Sequence, residues 1–254
     1  MGALHDGHLS LIRASRAQND LTVCSIYVNP TQFNNATDLA KYPKTVEKDI
    51  EMLRQSGCDV LFLPEDSTMY KKEGRLKLDF GVLDKVLEGE FRPGHFSGVA
   101  LVVSKFFNII QPNRAYFGQK DFQQFKVINR LVEELNFDIE LPFVPTLREP
   151  DGLAMSSRNL RLNPEERVKA LIFFKSLQLA REELRKGASI DTVKSKVKSL
   201  FETTSGVRLE YFEIANAENL ALVESVSNSI NCIMLVAGFV GEVRLIDNMF
   251  VSKD

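Results

Sequence analysis

The sequence lacks the features that mark several large classes of protein. Its 32 lysines and arginines nearly balance its 34 aspartates and glutamates, so it has no basic excess of the kind that duplex-DNA-binding domains use. No apolar run reaches the ~18 residues of a membrane span. The first residues show no basic stretch followed by an apolar core, so we expect no signal peptide. These absences favour a small-molecule partner over nucleic acid or a membrane.

Cysteine is also scarce. Cys24, Cys58 and Cys232 are far apart and form no CxxC pair. Their number is odd, and Cys24 and Cys232 lie inside apolar runs. Buried, reduced thiols fit this pattern better than disulfides do, which predicts a cytoplasmic protein.

The rest of the composition is that of an ordinary globular chain, with 44% hydrophobic and 26% charged residues. A length of 254 residues suits one large domain or two modest ones. In the first 160 residues, short apolar runs alternate with segments of helical spacing, which predicts right-handed crossovers and a mostly parallel sheet. The predicted strands are 21–28, 59–64, 114–117 and 138–144, and the predicted helices are 45–56, 98–110 and 121–135.

The pattern changes after about residue 160. Asn163-Pro164 followed by two glutamates is typical of a helix start, and this helix is expected to end near Lys186-Gly187. The later predicted elements are a helix over 189–204 and strands over 207–215, 230–239 and 242–250. We therefore predict an α/β domain with a parallel sheet over residues 1–160 and a smaller α+β domain over 161–254.

All three histidines lie beside glycines in turn-like segments. His5 and His8 belong to His5-Asp6-Gly7-His8, and the helical spacing of the apolar residues that follow makes this motif a turn that opens a helix. A helix N-terminus offers free N–H donors and a partial positive charge, and two imidazoles three residues apart can face one phosphate. We favour a phosphate site over zinc, because no HExxH pattern or nearby cysteine is present, and over an inert turn.

Two further segments have the chemistry of phosphate binders. Lys120 in Gly118-Gln119-Lys120-Asp121 supplies a point charge, although Asp121 could equally be a mere helix N-cap. The loop Met155–Arg158 offers two serines and an arginine to phosphate oxygens, and its alternative is a solvated linker between domains.

The segment Asn29–Phe33 follows the predicted strand at 21–28 and offers the Gln32 amide and the apolar Phe33 ring. Ligands in open α/β sheets bind at the carboxyl ends of strands, so this segment, the two phosphate-type segments and the histidine turn should converge on one crevice. Neither GxGxxG nor GxxxxGK[ST] is present. The site is therefore neither a typical dinucleotide-oxidoreductase site nor a P-loop.

These motifs resemble those of a known family. A His-x-Gly-His turn with a later Met-Ser loop is similar to the nucleotidyltransferases related to class I aminoacyl-tRNA synthetases. Along its whole length, and in order, the chain more closely resembles the pantoate–β-alanine ligases, or pantothenate synthetases. The matching segments are Met1–His8, Val28–Phe33, Tyr42-Pro43, Arg92–Gly98, Phe117–Gln124, Asp151–Asn159 and Leu245–Asn248.

The resemblance implies a Rossmann-like N-terminal domain that binds ATP and pantoate, followed by a C-terminal lid domain. It implies that ATP and pantoate give an enzyme-bound pantoyl adenylate and pyrophosphate, and that β-alanine then displaces AMP to form pantothenate. Mg²⁺ is expected to accompany the nucleotide. A homodimer is expected as well, and the apolar segment 98–110 supports it. The site lacks a protein nucleophile because the substrate carboxylate is itself the nucleophile.

The resemblance also implies roles for single residues. His8 is expected to stabilise charge as the α-phosphorus is attacked. The other residues expected to act in catalysis, by holding the phosphates, are His5, Lys120, Ser156, Ser157 and Arg158. The further expected ATP-binding residues are Met1, Gly2, Ala3, Leu4, Asp6, Gly7, Gly118, Gln119, Asp121, Leu147 and Met155. The expected substrate-binding residues are Gln32, Gln124 and Phe33, with Arg92 and His95 behind the substrate or at its entrance. Asp49 is a candidate Mg²⁺ ligand, and its alternative is a solvated helix face.

Two other functions stay open on the sequence alone. One is an adenylyltransferase of the same fold, although Gln32 and Gln124 suit a small hydroxy acid better than a second phosphate. The other is an inactive, truncated nucleotide-binding module. The reason to consider it is that members of the family carry a further strand, which ends in Pro-Thr, before the residue that is Met1 here. We expect an in-frame upstream extension that encodes this strand.

Overall fold

The computed structural model describes residues 1–33, 36–71, 76–226 and 231–252. The chain divides into two compact units, Met1–Leu147 and Arg148–Asp254. The boundary predicted after residue 160 therefore lies inside the second unit. Residues 148–160 belong to that unit because the Arg148 guanidinium pairs with Asp247, near the end of the chain.

The first unit is built on two pairs of parallel strands. β1 (Val23–Ser25) pairs with β2 (Val60–Phe62), and β3 (Phe117–Gly118) pairs with β4 (Phe143–Val144). Helices connect the strands within each pair, as parallel strands require. This confirms the predicted α/β class of the N-terminal part. Each strand is shorter than the apolar run that predicted it, because an apolar run does not mark where ladder pairing stops.

Seven α-helices are described in the first unit. They are α1 (Asp6–Gln18), α2 (Ala36–Ala40), α3 (Val46–Gln55), α4 (Asp66–Met69), α5 (Glu88–Phe91), α6 (His95–Ile110) and α7 (Phe122–Glu134). The longest of them, α6, begins after Gly94 at a positive φ of 79°. It ends where Gln111 adopts a left-handed conformation just before Pro112, which cannot continue a helix.

Helices α6 and α7 form the main core of the first unit. Apolar residues at helical spacing on each helix are buried against the other. They are Phe96, Val99, Ala100 and Phe107 on α6, and Val127, Ile128 and Leu131 on α7. A smaller cluster joins α1, β1 and α3 through Ile12, Cys24, Ile26 and Leu53. The loops that follow β1 and β3 are thus supported by packed elements.

The second unit is an antiparallel sheet with helices packed on it, which confirms the predicted α+β class. Its strands are β5 (Val207–Asn216), β6 (Cys232–Val240) and β7 (Val243–Phe250), with β6 in the middle. Its helices are α8 (Pro164–Lys169), α9 (Leu171–Arg185) and α10 (Ile190–Glu202). Gly241, at a φ of 54°, forms the tight connection between β6 and β7.

The ends of the helices in this unit match the sequence signals closely. Asn163 and Glu166 form a reciprocal capping box at the start of α8, and Gly187 follows α9 with a φ of 86°. The single helix predicted to reach Lys186 is instead two helices that meet at Ala170, where the Phe173 N–H donates to the Ala170 carbonyl in a tightened turn. In the described parts of the chain, no helix is long and apolar enough to cross a membrane.

Candidate active site

The backbone before the histidine turn lies beside β1. The Met1 ammonium donates to the Ser25 carbonyl at 2.9 Å, and the Met1 carbonyl accepts from the Tyr27 N–H at 3.0 Å. This is the hydrogen-bond pattern of a parallel ladder. The backbone then turns at Ala3, whose φ of 47° lies in the sparsely populated left-handed region. The start of α1 is therefore fixed to the sheet.

Asp49, on α3, stabilises the same turn through its carboxylate. Its Oδ1 accepts the Leu4 N–H at 2.8 Å and the Thr45 hydroxyl at 2.9 Å. Asp49 is 1% exposed, so the alternative of a solvated helix face is wrong. A bond between a side chain and a backbone 45 residues away leaves no local pattern, which is why sequence reasoning missed this role.

His5 and His8 face each other where α1 begins. Their ring centroids are 4.0 Å apart, and the His8 N–H donates to the His5 carbonyl at 2.8 Å to close the first turn. The Nδ1 atoms of both rings are buried without a hydrogen-bond partner among the residues that the structure describes. Buried polar atoms are paired in the great majority of cases. Two such nitrogens side by side indicate a binding place for a ligand with hydrogen-bonding groups.

Burial keeps this imidazole pair neutral. Desolvation, and then the positive charge of Lys120, lower the pKa of His5 from 6.5 to about 4. Desolvation and the neighbouring His5 lower the pKa of His8 well below its usual value, and Lys120 acts in the same direction. A neutral imidazole has one donor and one acceptor nitrogen. The pair can therefore donate hydrogen bonds to an anion without first taking up protons.

Lys120 lies close enough to both histidines for its charge to act on them. It belongs to a 3₁₀ turn, Gln119–Asp121, that directly follows β3. Its Nζ is 3.7 Å from the Asp121 carboxylate, and its side chain is mostly buried. Asp121 occupies the N-cap position of α7, but its side chain makes no capping hydrogen bond. The structure thus brings two predicted phosphate segments, the histidine turn and Gly118–Asp121, to one corner of the first unit.

Asp49 is the residue that the sequence offers as a candidate Mg²⁺ ligand. The one carboxylate oxygen of Asp49 that has no partner among the described residues, Oδ2, is buried. Mg²⁺ usually keeps several waters and binds one or two carboxylates together with substrate phosphates. A shielded oxygen does not fit such a hydrated ion. Among the described residues, no group of three or more His, Cys, Asp or Glu side chains could hold a metal.

The Pro30–Gln32 turn, in the connection that follows β1, carries Gln32 and is followed by Phe33. The buried Asn29 holds this turn together, because its Oδ1 accepts the Thr31 N–H at 3.3 Å and its Nδ2 donates to the Gly98 carbonyl at 3.2 Å. Among the described residues, the Gln32 amide oxygen has one long contact, 3.5 Å, with the Asn29 Nδ2. Phe33 and Gln32 are half-buried, which leaves both side chains partly open to a ligand.

Two neighbouring glutamines on α7 have different roles. Gln123 is buried, donates to the Leu83 and Val86 carbonyls at 2.9 and 2.8 Å, and accepts the Glu88 N–H at 3.0 Å. Gln124 is half-buried, and its amide makes no hydrogen bond to the described part of the chain. Gln124 is therefore the one of the two whose amide can turn to a substrate.

His95 contacts the backbone of Gln32, and Arg92 lies near enough to His95 for its charge to act on it. The Nδ1–H of His95 donates to the Gln32 backbone carbonyl at 2.8 Å. Arg92 lies 3.5 Å from the buried Glu88 carboxylate. Desolvation, followed by the charge of Arg92, lowers the pKa of His95 from 6.5 to about 3, so this imidazole stays neutral. Through the Gln32 carbonyl, this part of the chain supports the segment predicted to bind substrate.

Because these histidines are neutral in the folded protein, we expect its free energy of unfolding to fall below neutral pH. The pKa values of His5 and His95 are about 4 and about 3 in the folded protein, against 6.5 when unfolded. The unfolded chain therefore binds more protons between these values, so the free energy of unfolding falls as the pH falls from 6.5. We expect a lower urea midpoint at about pH 5 than at about pH 7. His95→Asn removes one such group and should reduce that difference. An equal midpoint at both pH values would contradict the prediction.

The serine loop, Met155–Arg158, belongs to the second unit. The Ser156 hydroxyl oxygen accepts the Arg158 N–H at 3.3 Å, and a 3₁₀ turn follows over Ser157–Arg161. Met155, Ser156 and Arg158 are half-buried and Ser157 is buried. The Asn159 side chain donates to the Ala154 carbonyl at 3.0 Å and fixes the loop to its own start. The alternative of a solvated linker between domains does not fit these residues, because Ser157 is buried and the loop is hydrogen-bonded to itself.

A buried ion pair anchors the base of this loop to β7. Arg148 donates to both carboxylate oxygens of Asp247, at 2.6 and 3.0 Å, and to the Gly152 carbonyl at 3.1 Å. Its guanidinium also lies 4.7 Å from the centre of the Phe174 ring. Gly152 has a φ of 98°, and a Cβ there would be 2.2 Å from that ring. In the sequence, Asp247 is only one residue of the Leu245–Asn248 motif. Its pairing with Arg148 could not be predicted, because the two residues are 99 positions apart.

Comparisons with known proteins assign the family. The pantoate–β-alanine ligase family matches residues 1–250. The chain belongs to the pantoate–β-alanine ligase family. It is 49% identical to the pantothenate synthetase of Aquifex aeolicus over 255 residues, which cover 100% of this chain and 89% of that protein. It is 44% identical to the pantothenate synthetase of Cytophaga hutchinsonii, covering 99% of this chain and 89% of that protein.

Solved structures of other pantoate–β-alanine ligases have the same fold. The pantothenate synthetase of Thermus thermophilus is 40% identical and superposes with a TM-score of 0.94, covering 100% of this chain and 91% of that one. The enzyme of Francisella tularensis, complexed with β-γ ATP and β-alanine, is 34% identical with a TM-score of 0.79, covering 100% of this chain and 88% of that one. The chain is thus an ATP-dependent ligase that joins pantoate and β-alanine, as its motifs predict.

Proposed function

We propose that the start of α1 and the turn after β3 hold the triphosphate of ATP while the pantoate carboxylate attacks its α-phosphorus. The observation that carries this proposal is the neutral imidazole pair of His5 and His8, whose Nδ1 atoms are buried without partners among the described residues. The charge of Lys120 acts on the same corner. The first turn of a helix adds backbone N–H groups that favour anions.

The chemistry needs no protein nucleophile. A carboxylate oxygen of pantoate bonds to the α-phosphorus, the bond from that phosphorus to the bridging oxygen breaks, and pyrophosphate leaves. His8 donates a hydrogen bond to the α-phosphoryl oxygen as negative charge grows there. His5 and Lys120 hold the other phosphates. The β-alanine amine then attacks the acyl carbon of pantoyl adenylate, loses a proton and releases AMP.

Further ATP contacts are proposed from the resemblance to the family. Backbone groups of Met1–Leu4 and Gly118 border the nucleotide, together with Asp6 and Gly7, Gln119 and Asp121, and Leu147. The loop of Met155, Ser156, Ser157 and Arg158 provides hydroxyl and guanidinium donors for the leaving pyrophosphate. Mg²⁺, when bound with ATP, would neutralise charge on the phosphates, and the buried Asp49 oxygen does not suit it as a ligand.

Pantoate lies on the Gln32 side of this corner. The Gln32 and Gln124 amides bond its oxygen atoms, while Phe33 and Met1 pack on its methyl groups. Gln32 also borders the β-alanine site. Support for this comes from the described part of the chain, in which the Gln124 amide makes no hydrogen bond and the Gln32 amide oxygen has a single long contact.

The enzyme is also expected to act in the cytoplasm as a homodimer. The cytoplasmic assignment rests on Cys24, Cys58 and Cys232, all of which are free thiols. Sedimentation equilibrium of the purified chain tests the dimer, and a monomer at all protein concentrations would contradict it.

Isotope exchange tests the two-step reaction. Attack of the carboxylate on the α-phosphorus releases pyrophosphate without needing the amine, so pantoate, ATP and Mg²⁺ together should support exchange of labelled pyrophosphate into ATP. Adding β-alanine should release AMP and form the amide. Release of ADP would mean attack at the γ-phosphorus and would overturn the roles given to His5 and His8. Exchange without pantoate would mean another acid substrate.

Replacing Gln32 with alanine should separate the two substrates. The amide bonds pantoate, while ATP is held by the histidines and Lys120. We expect the KM for pantoate to rise by about tenfold, the scale of one lost hydrogen bond with its unpaired partner, and the KM for ATP to stay within about twofold. Gln123→Ala on α7 is a poor control because Gln123 is structural. Lys41→Ala, at an exposed position, is the comparison. A selective loss of ATP affinity would reverse the assignment.

A further inference from the structure

The first turn of α6 contacts the Pro30–Gln32 turn through two hydrogen bonds and one close approach of the two backbones. The His95 Nδ1–H donates to the Gln32 carbonyl at 2.8 Å, and the Asn29 Nδ2 donates to the Gly98 carbonyl at 3.2 Å. A Cβ on Gly98 would lie 2.4 Å from the Thr31 carbonyl oxygen and 3.0 Å from the Gln32 Cα, so the helix and the turn are in direct backbone contact. Only glycine permits this approach.

The His95 bond fixes one form of the imidazole. A backbone carbonyl can only accept a hydrogen bond, so the proton of the neutral ring must be on Nδ1. His95 is 5% exposed and is buried in the α6 N-terminal turn, with its ring centroid 5.0 Å from that of Phe96. The charged groups that act on it are Arg92, Glu88 and Asp121. None of these groups competes for Nδ1 among the described contacts.

We propose that His95 is a positioning residue for pantoate, which acts by fixing the Gln32 carbonyl and thereby aiming the Gln32 side chain at the substrate. The carbonyl and the side chain leave the same Cα, so a rotation of the backbone there moves the amide away from its bonding direction. A displacement of about 1 Å is enough to weaken such a contact severely. This inference rests on the proposed role of Gln32.

Two substitutions that differ only in where they place a donor test this. The side-chain nitrogen of His95→Asn lies where Nδ1 was and can still donate to the Gln32 carbonyl. That of His95→Gln lies nearer to where Nε2 was and cannot. We expect His95→Gln to raise the KM for pantoate by about tenfold with the KM for ATP within about twofold, and His95→Asn to stay near the unmodified chain. Thermal midpoints of both variants monitor folding.

The same two substitutions in a Gln32→Ala chain show whether His95 acts through Gln32. If it does, His95→Gln adds less than about twofold to the pantoate KM once the Gln32 amide is gone, because residues acting through one contact are not additive. A full additional tenfold rise would mean that His95 meets the substrate directly or acts elsewhere, and would overturn the positioning role.

Other outcomes also decide the matter. Equal effects of His95→Asn and His95→Gln on the KM for pantoate would show that the donor at Nδ1 is irrelevant. A parallel rise in the KM for pantoate and the KM for ATP would mean that His95 has a merely structural role. Either result overturns the proposal and leaves the role of Gln32 intact. If Gln32→Ala itself leaves the pantoate KM unchanged, the proposed role of Gln32 is wrong, and the His95 proposal is overturned with it.

Discussion

Replacing His8 with alanine should lower the rate of pantoyl adenylate formation by about 10²–10³-fold. The reason is that His8 is a neutral donor at the start of α1, beside His5, and the alanine variant lacks this one donor to the charge that grows on the α-phosphoryl oxygen. The rate is measured as pyrophosphate exchange into ATP with pantoate present and β-alanine absent. The effect should appear in the rate at saturating substrate, because the hydrogen bond strengthens in the transition state.

The His8 variant should remain folded. The backbone N–H of His8, which closes the first turn of α1, is unchanged by the substitution. Arg13→Ala on the exposed side of the same helix is the matched control, and its exchange rate should be near that of the unmodified chain. A near-normal rate for the His8 variant, with Arg13→Ala also normal, would show that His8 is structural only. A thermal midpoint well below that of the unmodified chain would mean that the rate reports on folding.

The histidine turn could be predicted from the sequence because its signal is local. Residues that open a helix are adjacent in the chain, and the apolar spacing from Leu9 onward defines that helix. The capping box at Asn163 is local in the same way. The parallel class followed from the alternation of apolar runs and helices. The ends of the strands could not be predicted in this way. Leu21, for example, lies inside the first predicted strand but is exposed.

The supports of the site could not be predicted, because each joins distant parts of the chain. The helix over 45–56 was recognised by Val46, Ile50 and Leu53, yet the residues of α3 that are fully buried are Asp49 and Leu53. Hydrophobic spacing cannot show that a carboxylate on the same face is buried because it holds the Leu4 N–H. In the same way, the motif containing His95 identified the residue without showing that it holds the Gln32 carbonyl.

Loss of the Arg148–Asp247 ion pair should strongly destabilise the second unit. Asp247→Ala removes a carboxylate that is 2% exposed from a guanidinium that is 19% exposed, leaving the buried charge of Arg148 without its main partner. We expect the free energy of unfolding of the second unit to fall by about 3 kcal/mol. Because the chain has two units, the loss is best measured by amide hydrogen exchange along β6 and β7.

An exposed ion pair in the same unit provides the control. Lys169 and Glu165 are 2.7 Å apart, nearly the 2.6 Å of Arg148 and Asp247, but the Glu165 side chain is 78% exposed. Exposed pairs contribute little, so Glu165→Ala should leave exchange along β6 and β7 unchanged. Equal effects of the two substitutions would mean that burial does not govern these pairs. The double variant Arg148→Met with Asp247→Ala should be less destabilised than Asp247→Ala alone, because no unpaired buried charge remains. If the double variant loses as much stability as the single one, the cost comes from lost packing at the base of the serine loop and not from the charge.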